Sequence, residues 1–243
     1  MKRVYADLHL CIDCDRMGQF SGVVSKASKL GYRLIAVPFR KSSEEQIRWA
    51  RETCEKTGID FASRVDLRPR TPEELINNLR KVRRRFEIVS VMCESKGVAR
   101  QAAKDRRVDL LNFPQPDFHR GFFDAAEAEL ASNCLASLEI DVKPLLTLEG
   151  PARIRLLSNL RREAATAREF HVPIVISSGV SDEMLMRRPR ELAAMASLFD
   201  LSGVYAREAV SKNPAAMVKR NREKLGSKFV APGIRIIRKG EDC

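Results

Sequence analysis

Short apolar runs alternate with amphipathic stretches along most of the chain, and this rhythm restricts the available folds more than any single motif does. The runs Val4 to Leu10, Leu34 to Phe39, Phe61 to Leu67, Ile88 to Cys93, Leu110 to Phe113, Ala136 to Val142 and Pro173 to Ser178 read as strands. Asp200 to Val204 reads as a less regular eighth. The helices between them carry chemical start signals. Ser42 with Glu45 forms a capping-box pattern ahead of Ile47, Ala50 and Cys54, and Thr71, Pro72 and Glu74 repeat it ahead of Leu75, Leu79 and Val82. From about Gly150 to Phe170, Leu156, Leu160, Ala164 and Ala167 share one helical face, while Arg155, Arg161, Arg162 and Arg168 lie off it. Pro189 opens a later helix, and Asn213-Pro214 reads as an N-cap followed by proline at the first helical position.

Eight strands and their helices within 243 residues fit a closed barrel better than an open sheet. The predicted fold class is α/β, a TIM-type (β/α) barrel forming a single domain over residues 1–243. Residues 207–243 are expected to form a basic C-terminal helical extension packed on it. From Arg207 to Lys239 it holds ten basic and two acidic residues, a surplus of +8 in a chain of net charge +12.

So basic a protein selects for polyanionic partners. The basic residues are 30 Arg and 14 Lys, and Arg is the cation that forks onto phosphate. With one Trp and three Tyr, base stacking is a minor resource, so the expected mode is shape and backbone recognition of folded RNA. No apolar run has the length of a membrane span, and Asp7, His9 and Asp13 fall where a signal peptide needs an apolar core. A cytoplasmic protein with no membrane partner is expected. Its six cysteines are read as reduced thiols, mostly buried.

In a barrel enzyme the reactive groups sit at the C-terminal ends of strands. Asp7-Leu8-His9 ends the first strand and offers two alternating side chains with metal-binding chemistry. The chain has only three histidines (His9, His119 and His171), fewer than a multi-metal hydrolase site generally requires. Cys11-Ile12-Asp13-Cys14 is a C-x-x-C without a second pair, so no resident metal and no catalytic residue is assigned. Ser177-Ser178-Gly179 closes the seventh strand and is a candidate phosphate-cradling turn, the alternative being a plain glycine turn. Arg40, Lys41, Arg68, Arg70, Arg120, Arg187 and Arg188 lie in loops after strands. Gathered on one rim, and joined by Lys212, Lys219, Arg220, Arg222 and Lys224 of the extension, they form the expected RNA-binding set. The helix-end runs Arg83-Arg84-Arg85 and Arg106-Arg107 are read chiefly as solvated charge complementing helix dipoles.

Taken in order, several landmarks resemble the archaeal ribonuclease P protein component 3 family. They are Val4-Tyr5-Ala6-Asp7-Leu8-His9, Leu138-Glu139-Ile140-Asp141, Ile176-Ser177-Ser178-Gly179, Arg188-Pro189-Arg190-Glu191-Leu192, and Asn213-Pro214 with Asn221. The resemblance runs over nearly the whole chain. It implies a PHP-like barrel without the metal cluster, serving as a non-catalytic subunit that supports the catalytic RNA in removing the 5′ leader of precursor tRNA. It further implies Mg²⁺ held by the RNA, no cofactor on this chain, and a small RRM-like protein partner in a heterodimer or heterotetramer beside other ribonuclease P proteins. Two alternatives stand beside it. One is a PHP-like phosphoesterase using Asp7, His9, His119 and a divalent metal; the other is a generic basic RNA-binding protein.

Overall fold

Seven strands run parallel in sequence order, each hydrogen-bonded to the next, in a computed structural model that describes residues 3–12, 17–39, 44–114, 123–231 and 234–236. They are β1 (Ala6–Asp7), β2 (Leu34–Pro38), β3 (Asp60–Leu67), β4 (Ile88–Met92), β5 (Leu110–Asn112), β6 (Ser137–Asp141) and β7 (Ile174–Ser177). Their helices are α1 (Met17–Leu30), α2 (Glu44–Glu55), α3 (Pro72–Val82), α4 (Lys96–Ala103), α5 (Ala125–Cys134), α6 (Lys143–Thr147), α7 (Gly150–Glu169), α8 (Pro189–Met195), α9 (Gly203–Ala209) and α10 (Lys212–Leu225). A short antiparallel pair, β8 (Phe229–Ala231) and β9 (Ile234–Arg235), follows.

Local chemistry explains several of these boundaries. Thr71 caps α3, its hydroxyl accepting the Glu74 N–H, with Pro72 at the first position, as the spacing predicts. Asp124 and Glu127 form a reciprocal capping box on α5. The Ser42 cap falls outside the described residues.

The sheet curls into a nearly closed TIM-type α/β barrel. Across the seam between β7 and β1, Gly179 N donates to His9 O at 2.9 Å and Cys11 N to Val180 O at 2.9 Å. The expected eighth strand is a correction: no eighth strand joins this sheet among the described residues. Asp200 (φ 59°) and Gly203 (φ 63°) adopt left-handed backbone, which ends one helical turn, opens α9 and is incompatible with an extended strand. The edges that an eighth strand would pair are met otherwise: Ala6 N donates to Val210 O at 3.0 Å, and Asn213 Nδ2 donates to Ile174 O at 2.8 Å. Asn213 is therefore a bracket on β7 and not the N-cap of α10, which begins at Lys212.

Side chains from alternate strand positions divide the protein into two apolar regions. The larger lies between the strands and the ring of helices and includes Ile35, Val37, Phe61, Val89, Leu111, Leu138 and Ile176. The smaller fills the lower barrel interior with Ala6, Leu8, Leu34, Ala36, Ala62, Ile88, Leu110 and Val175. Met217 and Val218 of α10 complete it. That helix lies across the N-terminal opening and stoppers it, since Asn221 Nδ2 donates to Glu87 O at 2.8 Å just ahead of β4.

Candidate functional site

Above that apolar floor the barrel interior turns polar. Arg64 and Asp66 on β3, Ser90 on β4, Asn112 on β5, Glu139 and Asp141 on β6 and Ser177 on β7 converge there with His9 just beyond β1. Arg64 is fully buried at its centre. Its guanidinium forks onto Glu139, with Nη1 to Oε1 at 2.6 Å and Nη2 to Oε2 at 2.7 Å. It also donates through Nε to Asp66 at 2.6 Å and through Nη1 to Leu8 O at 2.7 Å. The rest of the Glu139 carboxylate accepts from Ser177 Oγ (2.8 Å) and Asn112 Nδ2 (3.1 Å). Burial opposes the charge on Arg64, but Asp66 and Glu139 outweigh it and hold the group firmly ionised.

His9 lies between two carboxylates, with Nδ1 2.9 Å from Asp141 Oδ1 and Nε2 3.1 Å from Asp66 Oδ2. Burial and Arg64 push its pKa down, yet Asp141 and Asp66 together raise it well above the ordinary histidine value. Asp7 lies beside this group; its Oδ1 accepts the backbone N–H of Ser178 (3.0 Å) and His9 (3.2 Å). Burial raises the Asp7 pKa, against those hydrogen bonds.

The arrangement decides the metal question on donor chemistry. His9, Glu139 and Asp141 do bring ligand atoms within 4.8 Å of one another. Both His9 nitrogens are already engaged by carboxylates, and both Glu139 oxygens by the Arg64 fork. The residues present do not fit a metal. A guanidinium neutralises the carboxylates instead. Of the phosphoesterase set, Asp7 faces backbone amides through Oδ1 and His9 faces Asp66 and Asp141, while His119, like Asp13 and Cys14, lies outside the described residues.

The phosphate-turn reading of Ser177-Ser178-Gly179 is likewise corrected. Ser178 N donates to Asp7, Gly179 N to His9 O, Val180 N to Ser178 Oγ, and the Ser177 hydroxyl to Glu139. These amides already have partners, and carboxylates border the turn. The glycine has a steric cause: at φ +64°, an added Cβ would stand 2.9 Å from the Cβ and Cγ of Asp141.

Among the described residues, the predicted RNA-binding cations do not share a rim. Arg40, Lys41 and Arg120 lie outside the described residues. Arg68 and Arg70 are exposed just beyond β3, at the C-terminal end of the barrel. The segment holding Arg187 and Arg188 instead returns towards the opposite end. Tyr32 Oη, ahead of β2, donates to Arg187 O at 2.8 Å, and Arg190 hydrogen-bonds Tyr5 ahead of β1. The Arg187 side chain folds back on Met184 O and Met186 O, whereas Arg188 is exposed. On α10, Lys219 is exposed and Lys212 pairs with Glu208 at 2.9 Å. Arg222 is a correction: it forks onto Asp60 (2.6 and 2.8 Å) and reaches Glu87 and Phe61 O, so it fastens α10 to the barrel floor. Arg220 approaches Asp109 and donates to Leu135 O at 3.2 Å.

Sequence reasoning missed Arg64, Asp66, Glu139 and Asp141 as one unit, and missed Asp60, Glu87 and Asp109 as anchors for α10. The available signal was period two: polar residues at i and i+2 near a strand's end share the inner face. The pairs 64/66 and 139/141 both obey it.

Comparison with known proteins agrees with this architecture. The model of the RNase P subunit p30 family matches residues 5–225. The chain belongs to the RNase P p30 family. Ribonuclease P protein component 3 of Methanosarcina barkeri (strain Fusaro / DSM 804) is 33% identical over 177 residues, 73% of each chain. That of Methanococcoides burtonii is 25% identical over 235 residues, 97% of this chain and 95% of its own. A chain in the cryo-EM structure of archaeal ribonuclease P with mature tRNA superposes with a TM-score of 0.84 at 20% identity, covering 97% of this chain and 99% of that one. A mutant organophosphorus hydrolase from Deinococcus radiodurans shares the barrel at a TM-score of 0.53 and 10% identity, over 88% and 92%. This p30-family chain is thus a protein subunit of ribonuclease P, the enzyme of tRNA 5′-end processing.

Proposed function

We propose that this subunit binds and supports the catalytic RNA of ribonuclease P during leader removal from precursor tRNA and performs no cleavage itself. The observation that carries this reading is the barrel mouth, where catalytic barrels keep their chemistry. There, Arg64 forks onto Glu139 and His9 bridges Asp66 and Asp141, so protein partners occupy the carboxylates that a metal set would use. The surplus of +12 supplies the complementary function: neutralising phosphate repulsion so that the RNA fold and its own Mg²⁺ sites form at ordinary ionic strength. The chain needs no cofactor for this. Arg68, Arg70, Arg188, Lys219, Arg220 and Lys224 are its described RNA-binding candidates. The direct protein partner is a small RRM-like subunit, in a heterodimer or heterotetramer beside other ribonuclease P proteins. The site of action is the cytoplasm; no described helix is long and apolar enough to cross a membrane.

The test is cleavage of a precursor tRNA at moderate Mg²⁺ by this chain alone, by the catalytic RNA alone, and by the RNA with this chain, the small partner or both. Cleavage that requires the RNA and rises with both proteins supports the reading. Cleavage by this chain alone, abolished by a chelator and by His9→Ala, overturns it.

A further inference from the structure

The two ends of the barrel differ in electrostatic character, and the end opposite the enzyme-type mouth holds a cluster built on Asp109. Asp109, 1% exposed just ahead of β5, accepts from Arg83 Nη1 at 2.6 Å and from Val89 N at 2.9 Å, with Arg220 Nη2 at 3.5 Å from its other oxygen. One carboxylate thereby fixes two arginines, from the end of α3 and from α10. Lys224 feels the same cluster: its pKa is pushed down first by burial and then by Arg220, with Asp109 opposing and Arg83 and Arg106 adding to the effect. Two arginines thus hold one buried anion, with Lys224 and Arg106 adding positive charge beside them.

Two donors there are unmet. Arg83 Nη2 and Arg220 Nε are buried without a hydrogen-bond partner among the described residues. An unmet guanidinium N–H under an excess of positive charge is the mark of a missing counter-ion, because both costs fall together when an anion arrives. Exposed Arg84, Lys104, Lys219 and Lys228 flank the cluster in sequence. At the mouth, by contrast, Asp141 and Asp66 are paired with His9.

We propose that Arg83, Arg106, Arg220 and Lys224 form a phosphate-binding site, organised by Asp109, through which the N-terminal end of the barrel docks on an RNA backbone. This rests on the RNA-supporting reading above and adds its location: RNA meets the floor of the barrel, not its mouth. The Asp109 anchor holds the two arginines in fixed orientation before binding, so less side-chain freedom is lost when the phosphate is engaged. Arg106 is exposed and Lys224 half-buried, so Arg106 meets the backbone first and Lys224 behind it.

The experiment measures binding of the full chain to the ribonuclease P RNA transcript across a salt series, for wild type, R106Q/K224Q and R68Q/R70Q. Matching thermal unfolding curves establish that the variants fold. R106Q/K224Q is expected to bind about tenfold more weakly at physiological salt, with a log–log salt slope shallower by about one to two units. R68Q/R70Q, at the mouth end, is expected to lose less affinity and less slope than R106Q/K224Q; a loss as large as or larger than that of R106Q/K224Q would overturn the placement of the contact at the floor. Wild-type affinity and slope in R106Q/K224Q would overturn this site alone. No RNA binding by the wild-type chain would overturn the RNA-supporting reading as well.

Discussion

Removing the Arg64 guanidinium would leave Glu139 and Asp66 as buried carboxylates without a countercharge, and stranding a buried charge costs more than the intact pair contributes. Arg64→Met is expected to lose about 3–5 kcal/mol of stability in denaturant unfolding; a loss below about 1 kcal/mol would refute the assignment of Arg64 as the neutralising centre. Glu163 gives a pH-dependent counterpart. Burial raises its pKa to about 8, against a hydrogen bond from Phe123 N. An acid with a raised folded-state pKa binds more protons folded than unfolded, so its contribution is full below the unfolded value and is lost as pH rises through about 8. His9, also raised, acts in the same direction. Glu163→Gln should therefore flatten part of the fall in stability between about pH 5 and 8, read from unfolding curves at stepped pH. At this scale the sequence disclosed less than at any other. Asp7 and His9 stood out as an alternating pair, but the pairing of Arg64 with Glu139 or of Arg222 with Asp60 joins residues far apart in the chain. Such contacts leave no local periodicity to read.

Strands β1 to β7 were legible because parallel buried strands are near-continuous apolar runs bounded by helix signals, and the core imposes that pattern directly. The eighth was not, because Asp200 and Gly203 close and open helical turns by left-handed backbone that composition does not reveal. α10 was legible as basic and helical, yet its role depends on Met217 and Val218, which enter the barrel interior where a (β/α) count leaves an open floor. Met217→Ala is expected to cost about 2–5 kcal/mol through the cavity left under Ala6 and Leu34, measured by chemical denaturation. A change within about 0.5 kcal/mol would mean that α10 does not stopper the barrel. At the mouth, Gly179→Ala would meet both the left-handed φ and the Asp141 side chain at 2.9 Å. It should destabilise by at least about 1 kcal/mol and shift the His9 imidazole resonances, since Asp141 is the neighbour forced to move.

For the whole molecule, net charge indicated a polyanionic partner while leaving its docking end unassigned. The structure separates the cations that brace the fold from those that are exposed: Arg64 and Arg222 belong to the first group, Lys219 and Arg188 to the second. Under the proposed function, the barrel retains the architecture of an enzyme while the RNA carries the chemistry. Leader cleavage by the ribonuclease P reconstituted from RNA and proteins at moderate Mg²⁺ tests that claim most directly, using Asp141→Asn, an exchange at the mouth that preserves shape. With folding verified by circular dichroism and RNA binding matched to wild type, the account predicts a cleavage rate within about twofold of wild type. A folded, RNA-bound Asp141→Asn complex whose cleavage falls a hundredfold or more, by roughly the amount that loss of a general acid–base group costs, would contradict it.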